Sequence, residues 1–301
     1  MKLKETIIKA LSLGTGLAIG MVLIAKVCFE MSYDGFYKDV DRIYWIYSNA
    51  IQGEDEFDFN QCSGAIAPGI KQYAPGVESA TRMTGFFDQH IWRDQNGHEV
   101  EGLSNFTDTC FFDVFDREIL AGDPKKALGE IHSIMVSRSF AEKMGGIENI
   151  IGKQICNIQI PELLLTVNGV YEDFPENGTI PYDVLMSLET YSKKSTENWM
   201  GNDRYRGFVK LHEGVDPASL KDAMRLMQET HQDIEEYEAM GMKLWYTLRP
   251  FSTIHTSDPH IRNMMFILSL VSFLLLSISV MNYVLIAISA IVKRSKEVGV
   301  R

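Results

Sequence analysis

Gly152-Lys153, at the end of GGIENIIGKQ, has the outline of a phosphate loop, in which backbone N–H groups cradle phosphate and the lysine reaches its oxygens. The step from Gly146 to Gly152 is one residue too long, and Gln154 stands where a Ser or Thr would hold magnesium. Nucleotide binding is set aside on both counts. His255 and His260 flank TSDP and suggest a metal pair, but two loop histidines read more simply as surface residues. Glu235, Glu236 and Glu238 form a run that suits a solvated helix face. Of the four cysteines, Cys28 falls at the edge of an apolar run. Cys62, Cys110 and Cys156 leave either one disulfide and a thiol or three buried thiols, the thiols being the simpler reading; none has CxxC or Cys/His spacing. There is no HExxH and no GxSxG. Asn105-Phe-Thr and Asn177-Gly-Thr match the glycosylation sequon, a pattern frequent by chance. The sequence thus offers no catalytic, metal-binding or cofactor-binding set, and the reading is of a protein that is not an enzyme.

The elements around these residues point elsewhere. The 301-residue chain has net charge −11, unevenly spread. Between Val27 and Val292 it carries 21 basic and 38 acidic residues, a net of −17, whereas both ends are basic. An acidic middle argues against nucleic acid as a partner. Two apolar runs suit membrane spans of about 20 residues. The first, with Lys26 able to snorkel, covers residues 7–29 after a cytoplasmic 1–6. The bulky, charged KVCFEMSYDGF that follows is no cleavage site, so the run is read as an uncleaved span. Gly16 and Gly20 form a GxxxG within it, which lets a second helix approach closely. The second run, 263–292, has thirty residues without a charge, and Asn282 is its strongly polar member, expected to bond a neighbouring helix. Both short flanks are basic, so both face the cytoplasm and the acidic middle lies outside.

That middle, 30–258, reads as mixed α/β. Tyr33, Phe36, Tyr37, Val40 and Ile43 recur at helical steps, predicting a short amphipathic helix over Ser32–Arg42. RIYWIYSNAI then predicts a strand. SGAIAPGIKQYAPGVESATRMT predicts helix, Pro-Gly turn and strand; Asn96-Gly97 predicts a hairpin turn. SIMVSRSFAEKMG predicts a strand, then a helix capped by Ser137 and stopped at Gly145. LLLTVNGVYEDFP, PYDVLMSLET and YRGFVKLHEG predict strands, the last followed by a helix from about Pro217, and MKLWYTLRPFSTIHT predicts the closing strand.

Five segments in order carry a resemblance. KRSKEVGVR, directly after the second span, resembles the cytoplasmic turn of MacB/FtsX-type ABC transporter permeases, where an E-[VI]-G-[VI]-R segment recurs. GLAIGMVLIAKVCFEMSYDGFYKDVDRIYWI resembles that family's first span and its exit. FFDVFDREILAGDP, IMVSRSFAEKMGG with IGK, and LTVNGVYEDFPENGTIPYDVLMS resemble its periplasmic domain, so the likeness covers essentially the whole chain.

The resemblance implies an α+β fold: two transmembrane helices flanking a two-lobed periplasmic domain. The membrane-proximal lobe is expected at about 31–104 with 204–257, and the inserted distal lobe at about 105–203. It implies an inner-membrane, multi-pass permease, of which this sequence is a truncated portion or a form lacking later spans. It implies an ABC ATPase on a separate polypeptide, a second permease copy or repeat, membrane lipid around the spans, and in some members a periplasmic adaptor and outer-membrane channel. The segment 293–301, with Lys293, Arg294, Lys296, Glu297, Val298, Gly299 and Arg301, is the expected ATPase contact; Glu297 and Arg301 share a helix face if the helix continues. The same cations also suit anionic headgroups. The expected action is mechanotransmission, in which ATP binding moves the outer lobes for export. A different class stays open: a two-span sensor with an extracytoplasmic ligand-binding domain, whose second span would lead into helical heptads.

Overall fold

The computed structural model describes the backbone of residues 2–85, 87, 90–201 and 204–298, and the side chains of all of these except 2–10, 12, 290 and 292–298. The chain divides into two compact units: Asp34–Thr253, and the terminal segments Met1–Tyr33 with Ile254–Arg301.

The first unit is built on one mixed sheet. Its strands are β1 (Ile43–Gln52), β2 (Asp55–Phe59), β3 (Val77–Thr84), β4 (Ile91–Asp94), β5 (Glu99–Glu101), β6 (Ser104–Thr107), β7 (Ile119–Gly122), β8 (Ser133–Ser137), β9 (Gln154–Asn157), β10 (Leu165–Tyr171), β11 (Val184–Ser187), β12 (Arg206–Leu211) and β13 (Met242–Pro250). The order is β13-β1-β12-β3-β6-β11-β8-β10-β9-β4-β5, with β2 paired to β1 and β7 to β10. β11 runs parallel to β6 and β10 parallel to β8; the other pairings are antiparallel. The longest register joins β1 to β13, from Tyr44↔Pro250 to Gln52↔Met242.

Two apolar cores flank this sheet. One gathers Ile46, Ile66, Ile70, Val209, Met224, Met227 and Tyr246 under the helices Ile66–Tyr73 and Lys221–His231. The other gathers Trp92, Phe106, Ile134, Phe140, Leu165, Val184 and Met186. Between them the sheet narrows to a short β3–β6 pairing, Met83↔Thr107 and Thr84↔Phe106. The hairpin β4–β5 gives Trp92 and Val100 to the second core. Because strand side chains alternate, the neighbours of Ile46 and Val209 face the other way. Trp45 and Phe208 meet there with Tyr37, Phe115 and Phe251, ring centroids about 5–6 Å apart.

Local signals hold where a turn or cap decides the backbone. Gly97 takes φ +83 in the β4–β5 turn, and Asp94 accepts from the backbone of Asn96 and His98. Ser137 Oγ accepts from the N–H of Phe140 and so caps the helix Arg138–Lys143, which stops before Gly145 at φ +108. The helix expected over Ser32–Arg42 is absent. The stretch is a series of turns ending in one 3₁₀ turn, Val40–Arg42, because Asp34 sits at φ +60, outside right-handed helical space. Asp34 is held there by the loop after β10: its N–H donates to the carbonyl of Asn177, and its carboxylate accepts from the N–H (2.8 Å) and hydroxyl of Thr179. The closing strand is shorter than expected, since Phe251–Ser257 is helical.

The second unit holds two long helices, Lys2–Met31 and Pro259–Val298. Within them Leu13–Met31 and Pro259–Ser289 are long and apolar enough to cross a membrane. No disulfide joins the cysteines; Cys62 lies in the first core and Cys156 is buried on β9.

Candidate functional site

The helix Pro259–Val298 is unbroken through the thirty uncharged residues and into the basic segment. Its 40 residues make a rod of about 60 Å at 1.5 Å per residue. Lys293, Arg294, Lys296, Glu297 and Val298 continue it as backbone helix. Gly299 and Arg301 lie outside the described residues, as does any Glu297–Arg301 pairing.

Against this rod the first helix presents its small residues. A Cβ added to Gly20 would stand 3.0 Å from Leu276 Cδ2, and one added to Gly16 would collide with Ser279 Oγ. Ser272 Oγ donates to the carbonyl of Gly20 at 2.9 Å. Ser272, Leu276 and Ser279 recur at helical spacing, and both serines are buried while large apolar neighbours such as Phe273 and Val280 are exposed. Close approach of backbones is what Gly and Ser permit and what aliphatic chains prevent. Asn282 is half-buried three residues beyond Ser279.

At the Met31 end of the first helix sits a polar knot the sequence did not announce. Glu30, whose side chain is 4% exposed, accepts from Lys26 one turn earlier and meets His255 Nε2 at 2.5 Å. The His255 ring lies flat on Tyr33, centroids 3.4 Å apart and 3° from parallel. A carboxylate this buried needs its charge balanced; Lys26 supplies the cation and the His255 ring a hydrogen bond. One signal was available: Glu30 falls four residues after Lys26, a helical pair. Its match with a histidine 225 positions away was not. His255, read as a loop residue beside His260, is therefore turned towards Glu30 within a helix, while the N–H of His260 is capped by Asp258.

The remaining chemical suggestions dissolve in geometry. Gly152 lies in a turn at φ +80, its N–H spent on the carbonyl of Val167 and that of Lys153 on Ile150, so neither is free for phosphate. Glu235, Glu236 and Glu238 lie exposed on the helix Ile234–Ala239. Asn105 is buried on β6.

A family model, the MacB-like periplasmic core domain, matches residues 7–226. The chain belongs to that family. The match starts in the first apolar helix and ends in the helix Lys221–His231, taking in β1 to β12. Among solved structures, a domain of a Porphyromonas gingivalis protein named as a permease is 35% identical, with TM-score 0.66, over 77% of this chain and 98% of that one. The periplasmic region of MacB from Actinobacillus actinomycetemcomitans is 15% identical, with TM-score 0.49, over 72% and 92% respectively. No curated protein matches the chain. This is therefore a MacB/FtsX-type permease chain, with a MacB-like domain between two apolar helices in a membrane protein. Its notable side-chain groupings are packing and pairing groups.

Proposed function

We propose that the protein is a permease subunit of an ABC transporter that exports its substrate by mechanotransmission. A separate ATPase binds ATP on the cytoplasmic side of the inner membrane, docks on 293–301, and moves the MacB-like domain on the periplasmic side. A second permease copy or repeat completes the membrane part, and an adaptor with an outer-membrane channel receives the substrate where one is used. The membrane-proximal lobe is taken as about 31–104 with 204–257, and the inserted distal lobe as about 105–203. The reading rests on one observation: a MacB-like domain lies between two membrane-length helices in the chain, the second running unbroken into a basic segment. A stiff helix joined to both ends is the minimum such coupling needs.

The test is purification of the full-length protein from its native membrane, with the ATPase recovered alongside it. Arg301→Glu and Glu297→Lys should each cut that recovery about tenfold or more, as loss of one charge-assisted contact would, without shifting thermal unfolding of the outer domain. Equal ATPase recovery from both variants overturns the docking assignment. Recovery of a response regulator in its place overturns the transporter reading.

A further inference from the structure

β2 leaves a strand edge that nothing covers among the described residues. It pairs only with β1, and every residue from Gln52 to Gln61 is exposed. The turn Gly53-Glu54, with Gly53 at φ +65, joins Gln52 directly to Asp55 across the hairpin. In such a two-residue hairpin the closing pair is hydrogen-bonded and the pairs then alternate. Asp55, Phe57 and Phe59 therefore turn their backbone groups to β1, and Glu56 and Asp58 turn theirs outward.

Two further features lie on this edge. Phe57 and Phe59, opposite the small residues Ala50 and Ser48, stand 41% and 52% exposed. Their rings are 6.2 Å apart and 9° from parallel, forming an apolar shelf. Glu54, Asp55, Glu56 and Asp58 surround the shelf with negative charge; no Lys or Arg occurs between Arg42 and Lys71, and Asp58 is answered by Arg249. Acids on an edge deter pairing between like copies, but that purpose needs no exposed phenylalanines. Open backbone groups, an aromatic shelf and a negative rim together describe a receptor for a strand of opposite charge.

We propose that β2 is a docking edge for a protein partner, which adds an extended segment of Lys or Arg alternating with apolar residues. The backbone groups of Glu56 and Asp58 take up the strand, its apolar side chains lie on Phe57 and Phe59, and its cations meet the acids. A second copy is disfavoured because like charges would stand opposite each other, and an anionic lipid surface because it repels the same acids.

The test uses the full chain in neutral detergent micelles and a labelled peptide of about eight residues, the length of an ordinary strand, alternating Lys and Val. Fluorescence anisotropy at about 0.15 M salt should show binding, and none for a matching Glu–Val peptide. Phe57→Ala/Phe59→Ala should weaken binding about tenfold or more. So should Glu56→Pro, which removes an outward N–H while leaving the pairing to β1 intact. Glu54→Lys/Glu56→Lys should transfer the preference to the acidic peptide and does not depend on tolerating proline. The proposal falls if the wild-type chain does not bind, or if binding ignores Glu56→Pro and follows salt alone. It also falls if the two phenylalanines serve self-association that peptide does not compete with, or retention on phosphatidylglycerol vesicles.

Discussion

The two units of this protein use the same apolar residue types in opposite ways. In Asp34–Thr253 the large side chains are inside: Trp92, Phe140, Phe208 and Phe251 are all within 1% of full burial. In the helix pair they are outside: Phe266, Phe273, Tyr283 and Ile291 are each more than 60% exposed, and the buried positions among the described residues are the small Gly20, Ser272 and Ser279 and the paired Glu30. Water drives the first arrangement, because burial removes apolar area from it. In hydrocarbon that drive is lost, and close packing with backbone-directed hydrogen bonds takes its place. A substitution should therefore be judged by the solvent its unit faces, and size should act with opposite sign in the two.

The sharpest break of that contrast is Phe208→Ala. Its ring touches Trp45, Phe115 and Phe251, with centroids 4.9, 5.0 and 5.7 Å away. Emptying that site should cost about 3–5 kcal/mol, read as a large drop in the unfolding midpoint of the outer domain. Leu285→Ala, at a position 55% exposed on the long helix, should leave that midpoint alone. Equal effects would mean that the exposed stripe is a core surface and not a lipid surface. Next in size is Gly20→Leu, where enlargement does the harm. The added chain must displace Leu276 and the Ser272 bond, an overpacking of about 1–3 kcal/mol. Disulfide trapping between Gly16→Cys and Ser279→Cys reports the helix contact. Its yield should fall several-fold with Gly20→Leu added, while the outer domain melts as before. An unchanged yield would remove the glycine face from the packing.

What the sequence revealed follows the range of each interaction. Ser137, Gly145 and Asn96-Gly97 fix their backbone within four residues, so the cap, the stop and the hairpin were readable. The apolar runs were readable because a bilayer selects length and composition alone, and the order of five segments carried the family. The Ser32–Arg42 helix failed because its apolar spacing was overruled by Thr179, which holds Asp34 in a left-handed conformation from 145 positions away. The pairing of Glu30 with His255 was hidden for the same reason. β2 was missed because DEFDF, charged and short, has no buried face to impose alternation on the sequence.

The smallest expected effect tests electrostatics at the base of the first core. Lys210, 8% exposed on β12, reaches Asp39 at 2.7 Å and Glu78 at 3.8 Å, and Arg42 meets Glu78 at 2.5 Å and Asp39 at 2.9 Å. The bond from Lys210 draws the Asp39 carboxyl below its ordinary range, and the bond from Arg42 does the same for Glu78. Both groups then hold protons less readily folded than unfolded. Their contribution is complete above the ordinary carboxylate range, near pH 4, and is lost as pH falls through the lowered folded values. The carboxylates are about a quarter to a third exposed, so water screens them and the whole contribution is about 1 kcal/mol. Lys210→Met keeps the apolar stem and removes the charge. Melting the full chain in detergent from about pH 7 to pH 3 should show a shallower decline for the variant, the curves converging at the acid end where the carboxylates are neutral anyway. Parallel curves would mean that Arg42 alone holds both acids and that Lys210 acts by filling space.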